Sequence, residues 1–270
     1  MRKVKNKMID ISRKTGLLAL AAAAAIGLPL LAAPAGAASD AVKPIQLDWS
    51  FEGVFGVYDR DALRRGYKVY KEVCAVCHSM ELVRFRNLME PGGPEFSEGQ
   101  VKALAADIVV VDGPDSSGEM FERPGEPKDR FPSPYPNPEA AAAALGAPAP
   151  DLSVIAKARP DGVNYLHSLL VGYTDAPEGF EVLPGLSYNT YFPGHVLAMP
   201  RPLSDGQVDY EDGTPNTVDQ MAKDVTHFLM WTAEPKLEQR HRIGFQVMIY
   251  LVLLSGFLWF AMRKVWSDQH

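Results

Sequence analysis

The sequence predicts an all-α domain with long irregular loops, followed by one transmembrane helix at the C-terminus. Three observations carry that expectation. Leu63, Tyr67, Tyr70, Cys74 and Cys77 recur at spacings of three and four, as do Val218, Met221, Ala222, Val225, Phe228, Leu229 and Thr232, the periodicity of one helix face. Between those segments the chain is dense in proline and glycine, which punctuate loops. Ile243 to Met262 is twenty residues without a charge, and at about 1.5 Å per residue it spans the roughly 30 Å hydrocarbon core of a bilayer.

Cys74-Ala75-Val76-Cys77-His78 holds both cysteines of the chain, with a histidine directly after them. C-x-x-C-H is the pattern of covalent c-type haem attachment. Two thiols three positions apart each add to a haem vinyl group, and the adjacent histidine ligates iron from the proximal side. A thioredoxin-like redox pair needs a βαβ setting that this segment lacks, and a zinc site needs about four ligands, usually with a second cysteine pair. The reading is one haem c, bound through Cys74 and Cys77, with His78 on the iron.

Residues 1–37 read as a cleaved signal peptide: a positive start (Arg2, Lys3, Lys5, Lys7, Arg13, Lys14), an uncharged run from Gly16 to Leu31, and an A-x-A exit at Ala35-Gly36-Ala37. The mature chain is therefore expected outside the cytoplasm, as haem domain 38–235 and membrane anchor 236–270 with its span at about 243–262. Six of the 27 basic and one of the 33 acidic residues lie in the leader, leaving 21 against 32 and a net charge of −11. That acidity argues against nucleic acid and for a basic protein partner.

Ser39 to Tyr58 reads as extended or irregular, with Pro44, Gly53 and Gly56 among Trp49, Phe51 and Phe55. Asp59 is a suitable N-cap for the helix that ends at the haem motif. Gly66 on that helix costs about 1 kcal/mol against alanine, and close approach of the domain's last helix is the better reason for it. Glu90 to Arg130 carries ten acidic and four basic residues, fitting a solvated loop or partner steering, with a short helix begun by the Ser97/Gln100 capping box. A second short helix is expected at Pro138 to Leu145, within a long loop that wraps the haem edge. Asp151 and Asp161 look like N-caps, with Tyr165, Leu169, Leu170 and Tyr173 on an apolar face. Arg159, between them, is either a haem-propionate donor or a surface ion-pair partner.

A sixth iron ligand must come from the far side of the haem on a stiff segment. Tyr191-Phe192-Pro193-Gly194-His195-Val196-Leu197-Ala198-Met199-Pro200-Arg201-Pro202 is such a segment, because three prolines restrict its backbone. Met199 and His195 are its two candidate donors; Met80 lies too near His78 to cross over. Thr217 and Gln220 form a capping box for the final helix to Ala233, whose apolar face should pack across the Gly66–Tyr70 turn. Charges flanking the C-terminal span do not orient it, so orientation follows from the leader: domain outside, tail inside.

At this point the chain resembles a family, cytochrome c1, the haem subunit of quinol–cytochrome c oxidoreductase, in its bacterial form. The resemblance runs over nearly all the mature chain. It is carried by Trp49 to Gly56, Cys74 to Met80, Pro150-Asp151-Leu152-Ser153, Ala158-Arg159, Tyr191-Phe192-Pro193-Gly194, Ala198-Met199, Asp212-Gly213-Thr214-Pro215, Ala222-Lys223-Asp224-Val225 and Ala233-Glu234-Pro235. It implies a cytochrome c-like domain, Met199 as axial ligand, Arg159 at a propionate and Tyr165 near the haem. It also implies one-electron relay, with no catalytic residue, from a Rieske iron–sulfur protein to a soluble cytochrome c, beside cytochrome b, in a dimeric complex of the bacterial inner membrane. The haem domain would be periplasmic and the C-terminus cytoplasmic. Some bacterial relatives carry an additional cysteine pair as a disulfide, which this sequence lacks. A free-standing anchored carrier, a five-coordinate haem enzyme or gas sensor, and a purely structural subunit are the competing classes.

Overall fold

The computed structural model describes residues 42–267; the leader and its cleavage site lie outside the described residues. Its first helix, α1 (Arg60–Glu72), starts at Asp59, whose carboxylate accepts from the Asp61 and Ala62 amides. It ends at Val73, and the chain tightens into a 3-10 turn over Cys74–Val76. The α-helix expected to run through both cysteines therefore stops one turn earlier. The difference is physical: at three residues per turn, side chains at i and i+3 eclipse, so the tighter turn brings the two thiols to one side.

α2 (Glu98–Ala106) has the capping box expected at Ser97 and Gln100, with both halves formed. A β-hairpin follows, β1 (Val109–Asp112) against β2 (Phe121–Pro124), with Val109 opposite Pro124 and Asp112 opposite Phe121. The acidic stretch was expected as loop; its Val109-Val110-Val111 run is β-branched and favours a strand. Arg123 pairs there with Asp112 at 2.6 Å and with Asp129 at 2.7 Å, so part of that charge is internally matched. α3 (Pro138–Leu145) matches its expected bounds.

Asp151 caps no helix; residues 153–157 form turns, and α4 (Gly162–Val171) follows Asp161. The face that α4 buries most deeply, Val163 to Ser168 without Tyr165, differs from the expected one, of which Tyr165 and Leu170 pack partly buried against the core and Tyr173, past the helix end, is buried. Asn164, His167 and Ser168 go inside, because the Asn164 side chain accepts from the Leu47 amide and Trp49 indole, Ser168 accepts from the Ile45 amide, and His167 bonds Asp219. Tyr165, Leu169 and Leu170 stay half-exposed. A two-residue ladder, β3 (Ser187–Tyr188) with β4 (Val196–Leu197), closes the loop before Met199.

α5 (Val218–Ala233) begins at Thr217, which accepts from the Gln220 amide. The Gln220 side chain reaches Asp224 instead of completing the box. α5 crosses α1 at Gly66, where an added Cβ would stand 2.0 Å from the Asp224 carbonyl oxygen. Arg65 grips the Asp224 carboxylate with two bonds, of 2.9 and 3.0 Å, beside that crossing. Tyr67 and Tyr70 pack on Phe228 at 5.7 and 5.8 Å, and Phe131 continues the cluster. α6 (Leu237–Ser267) is one unbroken helix, longer than the uncharged run at its centre. No residue of its most apolar window is buried, unlike the core helix of a soluble domain.

Candidate haem site

The 3-10 turn presents two free thiols, Cys74 and Cys77. Cys74 packs against the core, and burial pushes its thiol up to about 12. Redox-active Cys-x-x-Cys pairs depend on a lowered value at the attacking thiol, and Cys74 is shifted the other way.

His78 follows with Nδ1 2.8 Å from the Pro150 carbonyl oxygen. A carbonyl can only accept, so Nδ1 carries the proton and Nε2 keeps its lone pair for a metal. This is the arrangement that orients and strengthens an imidazole ligand. Pro150 is held in turn by its neighbours. Asp151 accepts from the Ser79 hydroxyl and the Glu81 amide, both at 2.8 Å, and the Leu152 amide donates to the Ser79 carbonyl at 2.9 Å. Burial raises the Asp151 carboxyl, but hydrogen bonds from Ser153, Glu81 and Ser79 outweigh it and hold the group below its ordinary value.

Met199 lies half-buried just after β4. Its carbonyl accepts from the Tyr173 hydroxyl at 3.1 Å, while Arg201 donates to the Tyr173 carbonyl. One tyrosine thus clasps the chain on both sides of Pro200. The loop behind is organised by Asn189, fully buried, whose side chain donates to the Leu169 carbonyl and accepts from the Tyr191 and Phe192 amides. His195, at φ 62°, places Nδ1 3.2 Å from the Asn189 carbonyl and stacks its ring on Tyr188 at 5.5 Å.

Arg159 is exposed, and its guanidinium bonds the adjacent Ala158 carbonyl, with no carboxylate partner among the described residues, so the surface ion pair, one of its two possible roles, is not made. Arg159 is an electrostatic neighbour of Tyr165, whose phenol is raised by burial, and Tyr165 and Arg201 are neighbours of Tyr173. The structure thus gathers Arg159, Tyr165, Tyr173 and the Met199 segment. The Tyr70 phenol is buried without a hydrogen-bond partner, and Cys74 and Asp151 are among its electrostatic neighbours. These residues fit haem c: two thiols on one tight turn, an imidazole with a free Nε2, a thioether on a braced loop, and a cation free of carboxylates. A separate cleft of about 530 Å³ beside α1 and α2 is lined by charges such as Lys71 and Asp107 that pair with each other.

Asn189 is not singled out by the sequence, Tyr173 is read there only as part of an apolar face, and Pro150 only as part of a family match. The partners of Pro150 and Tyr173 lie 72 and 26 residues away, and no local spacing announces them.

Fold and site together define a class, the c-type cytochrome with a C-terminal membrane anchor. A family model, the cytochrome C1 family, matches residues 49–269. The chain belongs to that family, and it is a haem c protein of electron transport anchored in a membrane. Cytochrome b/c1 of Bradyrhizobium diazoefficiens is 51% identical over 274 residues, covering 94% of this chain and 40% of the relative. Cytochrome c1 of Rhodospirillum rubrum is 47% identical over 82% of this chain and 86% of its own length. A mitochondrial cytochrome c1 haem protein of Solanum tuberosum is 50% identical, covering 81% and 84%.

Proposed function

We propose that the chain is the haem subunit of quinol–cytochrome c oxidoreductase, taking single electrons from a Rieske iron–sulfur protein and passing them to a soluble cytochrome c. The observation that carries this reading is the His78–Pro150 bond directly after the two thiols, since it prepares one free imidazole nitrogen where haem attachment requires it. Cys74 and Cys77 would form the two thioethers, and His78 through Nε2 and Met199 through its sulfur would hold the iron. Arg159 would serve a propionate and Tyr165 would border the haem. When bound, haem c supplies a one-electron redox centre whose potential methionine–histidine ligation raises, as a late acceptor from quinol requires. The protein's own work is to hold the ligands, exclude water and present charge.

Cytochrome b is the neighbour in the membrane; a relative matched over 94% of this chain bears the name cytochrome b/c1. The reading places domain 38–235 on the periplasmic side of a bacterial inner membrane after removal of residues 1–37. The span at about 243–262 then leaves the C-terminus cytoplasmic, in a dimeric complex.

The test is haem staining on a denaturing gel, with a pyridine haemochrome spectrum, for Cys74→Ala and Cys77→Ala. Each variant should lose normal two-link attachment. An unchanged c-type spectrum in either would overturn the site. Purification in mild detergent should bring cytochrome b and a Rieske protein with the chain, and isolation of a solitary cytochrome would favour a free-standing carrier.

A further inference from the structure

The Trp49–Tyr58 turn, outside the haem site, has two opposite faces. Trp49, Phe51 and Tyr58 are buried, and around the His227 ring they build a closed aromatic box. Val54, Phe55 and Val57, at the tip, are 66%, 78% and 54% exposed. The tip has a defined shape: the Gly56 amide donates to the Gly53 carbonyl, and the Val57 amide to the Ser50 carbonyl. A Cβ on Gly56 would lie 2.2 Å from the Phe51 carbonyl oxygen, so only glycine fits there.

This turn runs down the side of α6. The Tyr58 amide donates to Glu238 at 2.8 Å, the Gly56 carbonyl lies 3.2 Å from His241 Nδ1, and the Phe55 ring meets Phe245 edge-on at 5.9 Å. From Glu238 to Phe245 is about 10 Å along a helix axis. Arg242 is the last charge before the uncharged run, so Phe55 is level with residues already inside it. The exposed apolar tip is thus continuous with the lipid-facing surface of the anchor.

We propose that Val54, Phe55 and Val57 form an interfacial foot that inserts into the outer leaflet beside α6, at the boundary of headgroups and acyl chains. Aromatic and aliphatic side chains on a stiff turn favour that depth. Together with the Arg60–Glu238 pair, the foot would hold the domain at one tilt on its anchor. The proposal rests on α6 crossing the membrane.

The experiment uses the full haem-loaded chain in phosphatidylcholine nanodiscs. Val54→Cys, Met248→Cys and Glu119→Cys are each labelled with an environment-sensitive fluorophore, and the unsubstituted chain serves as the labelling control. Quenching by aqueous iodide is compared with quenching by nitroxide-bearing lipid. The label at position 54 should be at least about threefold less sensitive to iodide than at 119, and quenched by shallow nitroxide lipid. Iodide sensitivity at 54 equal to that at 119, with 248 behaving as lipid-buried, would overturn the foot and leave the anchor intact. Iodide sensitivity at 248 as well would overturn the anchor and the foot with it. In native membranes holding the partner subunits, a label at 54 shielded from both quenchers would mean that a protein covers the turn, and would overturn the lipid assignment.

Discussion

At the scale of single residues, the proposed site would depend on side chains that fix its ligands as well as on the ligands themselves. The Tyr173 hydroxyl is the clearest case, because it bonds the carbonyl of the residue expected to ligate iron. Tyr173→Phe removes that bond at a net cost of about 1 kcal/mol, and the Met199 segment loosens. Holo Tyr173→Phe should keep its haem but show a weakened methionine–iron charge-transfer absorbance and some carbon monoxide binding when reduced. Met199→Leu, near its volume and costing under about 1.5 kcal/mol in packing, should lose that absorbance fully, bind carbon monoxide and have a lowered potential. His195→Leu should leave all three unchanged, since the proposed sixth ligand is the Met199 thioether and not the His195 imidazole. The reverse pattern, Met199→Leu normal and His195→Leu altered, would make His195 the ligand. Cys74, Cys77 and His78 were legible because attachment chemistry demands adjacency within five positions. Tyr173 and Pro150 were not, because a bond across a folded loop leaves no spacing in the chain.

At the scale of elements, sequence reading succeeded where a helix advertises its own ends and faces. Asp59, Ser97 and Thr217 cap as their chemistry dictates, and Gly66 marks the α1–α5 crossing. It failed on α4, where polar Asn164 and Ser168 are buried to tie down a distant N-terminal segment. An apolar-face rule cannot anticipate such bonds. The same N-terminal segment covers His227 on α5, with Ser50 Oγ 3.0 Å from Nε2 and Asp59 and Arg65 as charged neighbours. Burial lowers this histidine from 6.5 to about 4. Below pH 6.5 the unfolded chain takes up a proton that the folded chain refuses, so stability is lost as pH falls from 6.5 toward 4. The slope approaches about 1.4 kcal/mol per pH unit, or about 2 kcal/mol by pH 5. His167, also lowered by burial, acts in the same direction. His227→Gln carries no titrating ring, so the drop in Tm between pH 7.5 and pH 5 should shrink. An undiminished drop in that variant would assign the acid sensitivity elsewhere.

At the scale of the whole molecule, the anchor and the acidity could be read directly, because hydrophobic length and net charge are sums over sequence. Where the charge acts could not, because pairing is a property of the fold. Residues 38–242 carry 19 basic and 31 acidic side chains, a net of −12. Many of these acids are internally matched, such as Asp224 and Asp212 by Arg65 and Asp129 by Arg123. Asp175, Glu178 and Glu181 are exposed and make no ion pair among the described residues. They lie on the segment after Tyr173, where the Phe180 ring packs edge-on to Tyr188 at 5.1 Å and faces His195 at 6.5 Å. Unmatched negative charge therefore stands beside the loop that carries Met199, where the proposed electron acceptor would approach. Reaction with a basic soluble cytochrome c should slow as salt rises, since exposed charges are screened beyond about 8 Å at physiological ionic strength. Neutralising the three acids together, as Asp175→Asn, Glu178→Gln and Glu181→Gln, should lower the association rate at low salt by about tenfold and flatten its salt dependence. The matched control neutralises Asp115, Glu119 and Glu122 on the hairpin, removing the same charge from a different surface. Equal losses in the two triple variants would mean that only net charge steers the partner, and the Asp175–Glu181 segment would no longer mark the docking face.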